Sequence, residues 1–213
     1  MKKTISILGS TGSIGTTTLN IVEKKKNLLR VNILSANSNY IRICNQIIKF
    51  NPKIYIILNK KILLKVRKKF KNKKIKLINS YEELNNKNIK SDITVVAIPG
   101  IAGLEPTIFF IKKSKKVLLA NKESIICGWN IINKIAKKNN TIIIPIDSEH
   151  FSIKTLLHNH SFSEIKKIYI TASGGPFLNL PNNKFAKIKP SDAIKHPKWK
   201  MGKKISIDSA TLM

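Results

Sequence analysis

Up to Ile146 the chain alternates between two kinds of hydrophobic pattern. Short, nearly continuous β-branched runs give way to longer stretches in which apolar residues return at helical spacing. The runs predict strands at Thr4–Leu8, Arg30–Ala36, Ile54–Leu58, Ile75–Ile78, Asp92–Ile98, Lys116–Ala120 and Thr141–Ile146. Between them, helices are predicted at Thr16–Lys25, Tyr40–Phe50, Lys60–Lys69, Leu104–Lys113 and Ser124–Lys138. Strands that are apolar throughout are buried on both faces, so the pattern predicts a parallel sheet with helices on each side. That is a doubly wound, Rossmann-like α/β fold. After Ile146 the regularity lapses. A short helix is expected at Ser152–Leu157, a strand at Ile165–Thr171, a break at Gly174-Gly175-Pro176 and a loop at Leu178–Asn183. A helix at Pro190–Lys195, a loop around Trp199 and Gly202, a strand at Ile205–Ile207 and a helix capped by Ser209 complete the expectation. The organisation expected is a dinucleotide-binding domain over 1–146, then an incomplete α+β catalytic domain over 147–213.

Composition changes this picture less than the charge suggests. The 213 residues carry a formal net charge of +29, but 37 of the 40 basic residues are lysines. Lys, Ile and Asn together make up 97 residues, the drift expected of an A/T-rich coding sequence rather than of a nucleic-acid site. Sequence-specific nucleic-acid recognition favours arginine forks and aromatic stacking faces. With three arginines and 7% aromatics, no specific nucleic-acid partner is expected, although the field would attract anionic ligands. No apolar run approaches the ~18–20 residues that cross a bilayer, and the N-terminal apolar stretch is too short for a signal peptide. Cys44 and Cys127 are the only cysteines, too few for a disulfide framework, so a reducing cytoplasm is the expected setting.

The first candidate site is Gly9-Ser10-Thr11-Gly12-Ser13-Ile14-Gly15, between the first strand and first helix. Glycines there permit a tight turn and close approach of backbone to a pyrophosphate, which the helix N-terminus attracts. The spacing is GxxGxxG, a variant of the dinucleotide fingerprint. The second strand ends in Asn37-Ser38-Asn39, with no acid to hold the ribose 2′-hydroxyl of NAD, so NADP is favoured. Arg42, a helical turn further on, could reach a 2′-phosphate. Asn121-Lys122-Glu123 and Asp147-Ser148-Glu149-His150 each follow a strand, where ligands of such sheets gather. Two carboxylates held together outside an apolar strand suit a hard cation, Mg2+ or Mn2+; the plainer reading is a helix cap beside an exposed acid. Ser173 before Gly174-Gly175-Pro176 suggests an anion-binding turn, and Trp199 in the loop from His196 suggests a lid.

These segments resemble 1-deoxy-D-xylulose 5-phosphate reductoisomerases, in order and along the whole chain. The resemblance implies an NADPH- and metal-dependent rearrangement and reduction to 2-C-methyl-D-erythritol 4-phosphate, in non-mevalonate isoprenoid synthesis. By position it implies that Thr11, Gly12, Ser13, Ile14, Asn121, Glu123 and Gly202 meet NADPH, with Asn37, Ser38 and Asn39 at its 2′-phosphate end. It further implies Asp147 and Glu149 as ligands of Mn2+ or Mg2+. Lys122, Ser148, Ser173, His196 and Ser209 would contact substrate or its phosphate, beneath a loop carrying Trp199. The implied partner is a small sugar phosphate, with room for a family-like homodimer. Three features depart from the family. Asn37-Ser38 stands where Gly-Lys is usual, and Phe151 stands where Asn is usual. Beyond the Met213 position the family continues with an Asn-Lys pair, a further metal-binding Glu and a helical domain. The expectation is therefore a chain with little or no turnover of its own. The competing reading is an inactive remnant that binds only dinucleotide or polyanions. A plain dehydrogenase is disfavoured because hydride transfer needs no carboxylate pair.

Overall fold

The computed structural model describes residues 1–85, 88–169, 174–198, 200, 202, 203, 206 and 207. Seven parallel strands form one sheet: β1 (Lys3–Leu8), β2 (Leu29–Ala36), β3 (Ile54–Ile57), β4 (Lys76–Ile78), β5 (Ser91–Val96), β6 (Ser114–Leu119) and β7 (Ile142–Pro145). Their order across the sheet is β4-β3-β2-β1-β5-β6-β7. The chain winds outward from β1 in one direction, then returns to β5 on its other side and winds the opposite way. The reversal between β1 and β5 leaves a crevice at their C-terminal ends, the place where open α/β sheets bind ligands.

The helices are α1 (Ser13–Lys24), α2 (Tyr40–Phe50), α3 (Lys60–Lys69), α4 (Leu104–Ile111), α5 (Lys122–Lys138), α6 (Ser148–Leu156) and α7 (Pro190–Ala193). Two cores form, as expected for a sheet covered on both faces. One gathers Leu19 and Val22 of α1, Ile43 and Ile47 of α2, and Leu63 and Val66 of α3 against Ile5, Ile7 and Tyr55. The other gathers Phe110 and Ile111 of α4 and Ile132 and Ala136 of α5 against Leu8, Ile33, Val96 and Val117. At the N-terminal edge of the sheet Asp92 accepts from the Thr4 N–H and hydroxyl, each at 2.8 Å, and pairs with Lys115 at 2.8 Å. The Lys115 ammonium and then the Thr4 donors hold its carboxyl well below the usual carboxylate range. No helix among the described residues is long and apolar enough to cross a membrane.

The chain divides into two compact units, Met1–Phe151 and Ser152–Met213. The boundary falls inside α6, a little beyond the expected 146/147 division. In the second unit no apolar side chain is buried among the described residues. Phe162, Tyr169 and Leu178 are 85%, 78% and 69% exposed.

Two expectations for this region are corrected. Residues 165–169 form no strand. A strand needs a partner for its backbone groups, and none of the observed strand pairings involves this stretch. The remainder of the Ile165–Thr171 expectation lies outside the described residues. Ser206 and Ile207 are helical rather than extended, with the Ser206 N–H donating to the Gly202 carbonyl at 3.0 Å.

Candidate functional site: the C-terminal edge of the sheet

Three of the sequence motifs, and the loop after β5, end up along one edge of the first unit. Backbone bonds step across that edge from strand to strand: Ala97 N–H to Leu8 O at 2.8 Å, Ala120 N–H to Val96 O at 3.1 Å, and Ile146 N–H to Leu119 O at 3.0 Å. They bring into register the glycine turn after β1, Ile98-Pro99-Gly100 after β5, Asn121-Lys122-Glu123 after β6, and the Asp147 run after β7.

The glycine turn is built by close approach. Gly9 has φ +79°, and a side chain there would bring Cβ to 2.6 Å from the Ala97 carbonyl oxygen. A Cβ on Gly15 would collide with the Gly9 carbonyl and lie 2.6 Å from Ser10 Cα. Gly12 differs: its nearest neighbour would be the Gly9 oxygen at 3.4 Å, and it faces solvent. Gly12 is the N-cap of α1 and supplies no side-chain cap, so the first N–H groups of α1 stay available. Thr11 and Ile14 are half-buried and Ser13 is exposed.

Beneath the turn lies a polar cluster that the motif search missed. The Ser10 hydroxyl donates to Gln46 Oε1 at 2.7 Å and lies 2.9 Å from Tyr55 Oη, which donates to the same Gln46 oxygen at 2.6 Å. Gln46 Nε2 donates to the Ser10 carbonyl at 2.9 Å. All three residues are buried. Burial pushes the Tyr55 phenol above its ordinary value, so it stays a neutral donor. Arg42 Nη1 donates to the Thr11 carbonyl at 2.5 Å. A sequence signal existed: Gln46 falls on the face of α2 that buries Ile43, Cys44 and Ile47.

At the end of β2, Asn37, Ser38 and Asn39 are exposed. Asn39 caps α2, its side chain accepting from the Arg42 N–H at 3.1 Å. The Asn37 carbonyl accepts from Asn59, the cap of α3, at 3.3 Å. The first turn of α3, with Lys60 and Lys61, therefore starts beside this segment.

Asn121 is 3% exposed and its side chain is fully engaged. Its oxygen caps α5 by accepting from the Ser124 N–H at 2.7 Å, while its NH2 donates to the Ile98 and Gly100 carbonyls, the latter at 2.6 Å. Asn121 thus ties the loop after β5 to the start of α5. Lys122 and Glu123 follow in the first turn of α5, both half-buried.

Asp147 caps α6: its Oδ1 accepts from the His150 N–H at 3.1 Å and lies 2.5 Å from His150 Nδ1. Glu149 is half-buried in the first turn, and Ser148 and His150 are exposed. Two carboxylates are hard oxygen donors of the kind that hold Mg2+ or Mn2+. Among the described residues no group of three His, Cys, Asp or Glu could hold a metal ion.

In the second unit, His196 is half-buried and accepts at Nδ1 from the Lys198 N–H at 3.2 Å. Gly202 is half-buried, with nothing within 4 Å of a Cβ position. Ser173, Trp199 and Ser209 lie outside the described residues.

Two family models match the chain. A model described as 1-deoxy-D-xylulose 5-phosphate reductoisomerase matches residues 5–128, and one for the C-terminal domain of that enzyme matches residues 143–213. A 1-deoxy-D-xylulose 5-phosphate reductoisomerase of Pelagibacter ubique is 49% identical over all of this chain and 55% of its own length. One of Clostridium novyi is 43% identical over 99% of this chain and 56% of its own length. Among solved structures, a DOX-P reductoisomerase in complex with NADPH, fosmidomycin and magnesium superposes with a TM-score of 0.86 at 33% identity, over 98% of this chain and 54% of its own. The Zymomonas mobilis reductoisomerase in complex with NADPH gives 0.84 at 32% identity, over 99% and 54%. The chain spans about half the length of the relatives it matches.

Proposed function

The chain belongs to the 1-deoxy-D-xylulose 5-phosphate reductoisomerase family, and from that membership we propose that it carries the NADPH site and two metal carboxylates of that reaction. The observation that carries the reading is the alignment of the glycine turn, the Asn121–Glu123 segment and the Asp147–Glu149 run along one sheet edge. The setting proposed is the cytoplasm, the substrate a small sugar phosphate, and no specific nucleic acid takes part.

In this reading the open backbone at Gly12 and the first N–H groups of α1 receive the pyrophosphate. The end of β2 offers a 2′-phosphate no opposing acid, and Lys60 and Lys61 begin the neighbouring helix. Lys122 and Ser148 would orient substrate oxygens. Asp147 and Glu149 would hold Mg2+ or Mn2+, which supplies Lewis-acid stabilisation of enolate-like charge when bound. NADPH supplies the hydride, and the fold fixes where it is delivered. Asn121 serves this arrangement through its backbone and by fixing the Ile98–Gly100 loop, since its side chain has no group to spare.

The second reading is a chain that binds dinucleotide or polyanions without turnover. A turnover assay separates the two. With 1-deoxy-D-xylulose 5-phosphate and Mn2+, the 213-residue polypeptide is expected to oxidise NADPH slowly or not at all. Misplacing reacting groups by ~1 Å costs about 10²-fold in rate, and a two-carboxylate site positions the metal poorly. Oxidation at an ordinary enzymatic rate, dependent on both substrate and Mn2+, would show that the site is complete and the second reading wrong.

A further inference from the structure

Helix α2 holds the glycine turn by two successive carbonyls. Gln46 Nε2 takes the Ser10 oxygen at 2.9 Å and Arg42 Nη1 takes the Thr11 oxygen at 2.5 Å. The two side chains are four residues apart on one helix, so they leave the same face one turn apart. In a trans peptide the C=O and N–H point in opposite directions. Drawing the Ser10 carbonyl towards α2 therefore turns the Thr11 N–H away from α2. Drawing the Thr11 carbonyl the same way turns the Gly12 N–H to where it closes on the Gly9 oxygen at 3.1 Å. Among the described residues nothing accepts from the Thr11 N–H. An outward N–H beside an uncapped helix start is a donor set for a phosphate oxygen.

We propose that Arg42 and Gln46 are positioning residues that orient the Ser10 and Thr11 peptides of the glycine turn towards the dinucleotide pyrophosphate, and that Arg42 serves the turn rather than the 2′-phosphate. The inference rests on the reading of this turn as a dinucleotide site. It makes cofactor affinity depend on residues of the second helix that touch no cofactor atom. It also separates Arg42 from NADPH selectivity, which its location in the sequence suggested.

The test is calorimetric titration of the 213-residue chain and its Arg42→Ala variant with NADPH and with NADH. Arg42 is exposed, so Arg42→Ala should fold with an unchanged thermal midpoint. Losing one charge-assisted bond is expected to weaken both dinucleotides by the same factor, about three- to tenfold. Gln46→Glu keeps the acceptor for Ser10 and Tyr55 but removes the donor to the Ser10 carbonyl. It should weaken both dinucleotides equally too. A loss confined to NADPH would place Arg42 on the 2′-phosphate and overturn the proposal. Unchanged affinity for both dinucleotides would overturn it as well. Failure of the parent chain to bind either dinucleotide would instead remove the reading beneath it.

Discussion

Replacing Gly15 by alanine should strip the first unit of dinucleotide binding and of much of its stability together. The added Cβ would collide with the Gly9 carbonyl and lie 2.6 Å from Ser10 Cα, both backbone atoms that no side-chain rotation can move aside. Either α1 or the turn must shift, and overpacking of that kind typically costs about 1–3 kcal/mol. Gly12→Ala should behave in the opposite way. Its Cβ meets only the Gly9 oxygen, at 3.4 Å, an ordinary contact, and Gly12 has φ −77°, which any residue adopts. The fold should survive with its thermal midpoint nearly intact. A methyl group over the open backbone would nevertheless occupy the space that a pyrophosphate needs, so NADPH affinity should fall by at least about tenfold, the cost of a lost close contact with charge. Thermal melts beside NADPH titrations of both variants check this. An unchanged NADPH affinity in a folded Gly12→Ala chain would mean that the turn is only a turn.

The second large effect lies at Asp147 and Glu149. Asp147→Asn keeps the oxygen that accepts from the His150 N–H, so the cap of α6 should persist while the charge is lost. Glu149→Gln loses only the modest attraction of an acid to a helix start, about 0.3–1 kcal/mol. Each change should nonetheless weaken Mn2+ binding by at least about tenfold, the scale that even outer-shell partners of a metal command. NADPH binding should be untouched. Titration with Mn2+ followed by electron paramagnetic resonance reads the effect. If both variants bind Mn2+ as the parent does, the carboxylates are a helix cap and its neighbour and nothing more.

Where local chemistry decided an element, the sequence could be read closely. Helices α2 and α3 begin and end where expected because Asn39 and Asn59 cap them and their apolar faces are unambiguous. Helix α6 starts earlier than expected, at Ser148. Of the two readings of Asp147, metal ligand and helix cap, the cap is the one that sets this start, its carboxylate accepting from the His150 N–H. The strand expected from Ile165 rested on β-branched and aromatic residues, and pairing, which a strand also needs, is not a local property. At the site, motif spacing located the glycine turn and the residues after β6 and β7. It could not show that Asn121 is spent on the Ile98 and Gly100 carbonyls, or that Arg42 bonds to a residue 31 positions earlier. Such bonds follow from how the sheet is wound, which becomes visible only when the strands are placed.

On the reading proposed here a specific NADPH site sits at the β1–α1 turn of a chain whose +29 charge would attract any polyanion. Titration of the 213-residue chain with NADPH at low and high salt tests it most directly, with NADH and inorganic polyphosphate as comparisons. Binding to a diffuse positive surface falls away as ions screen it, whereas a built site keeps its hydrogen bonds. Saturable binding of one NADPH per chain that persists at high salt is expected, with weaker binding of NADH and little competition by polyphosphate. Binding that vanishes at high salt, or that polyphosphate displaces in full, would contradict it.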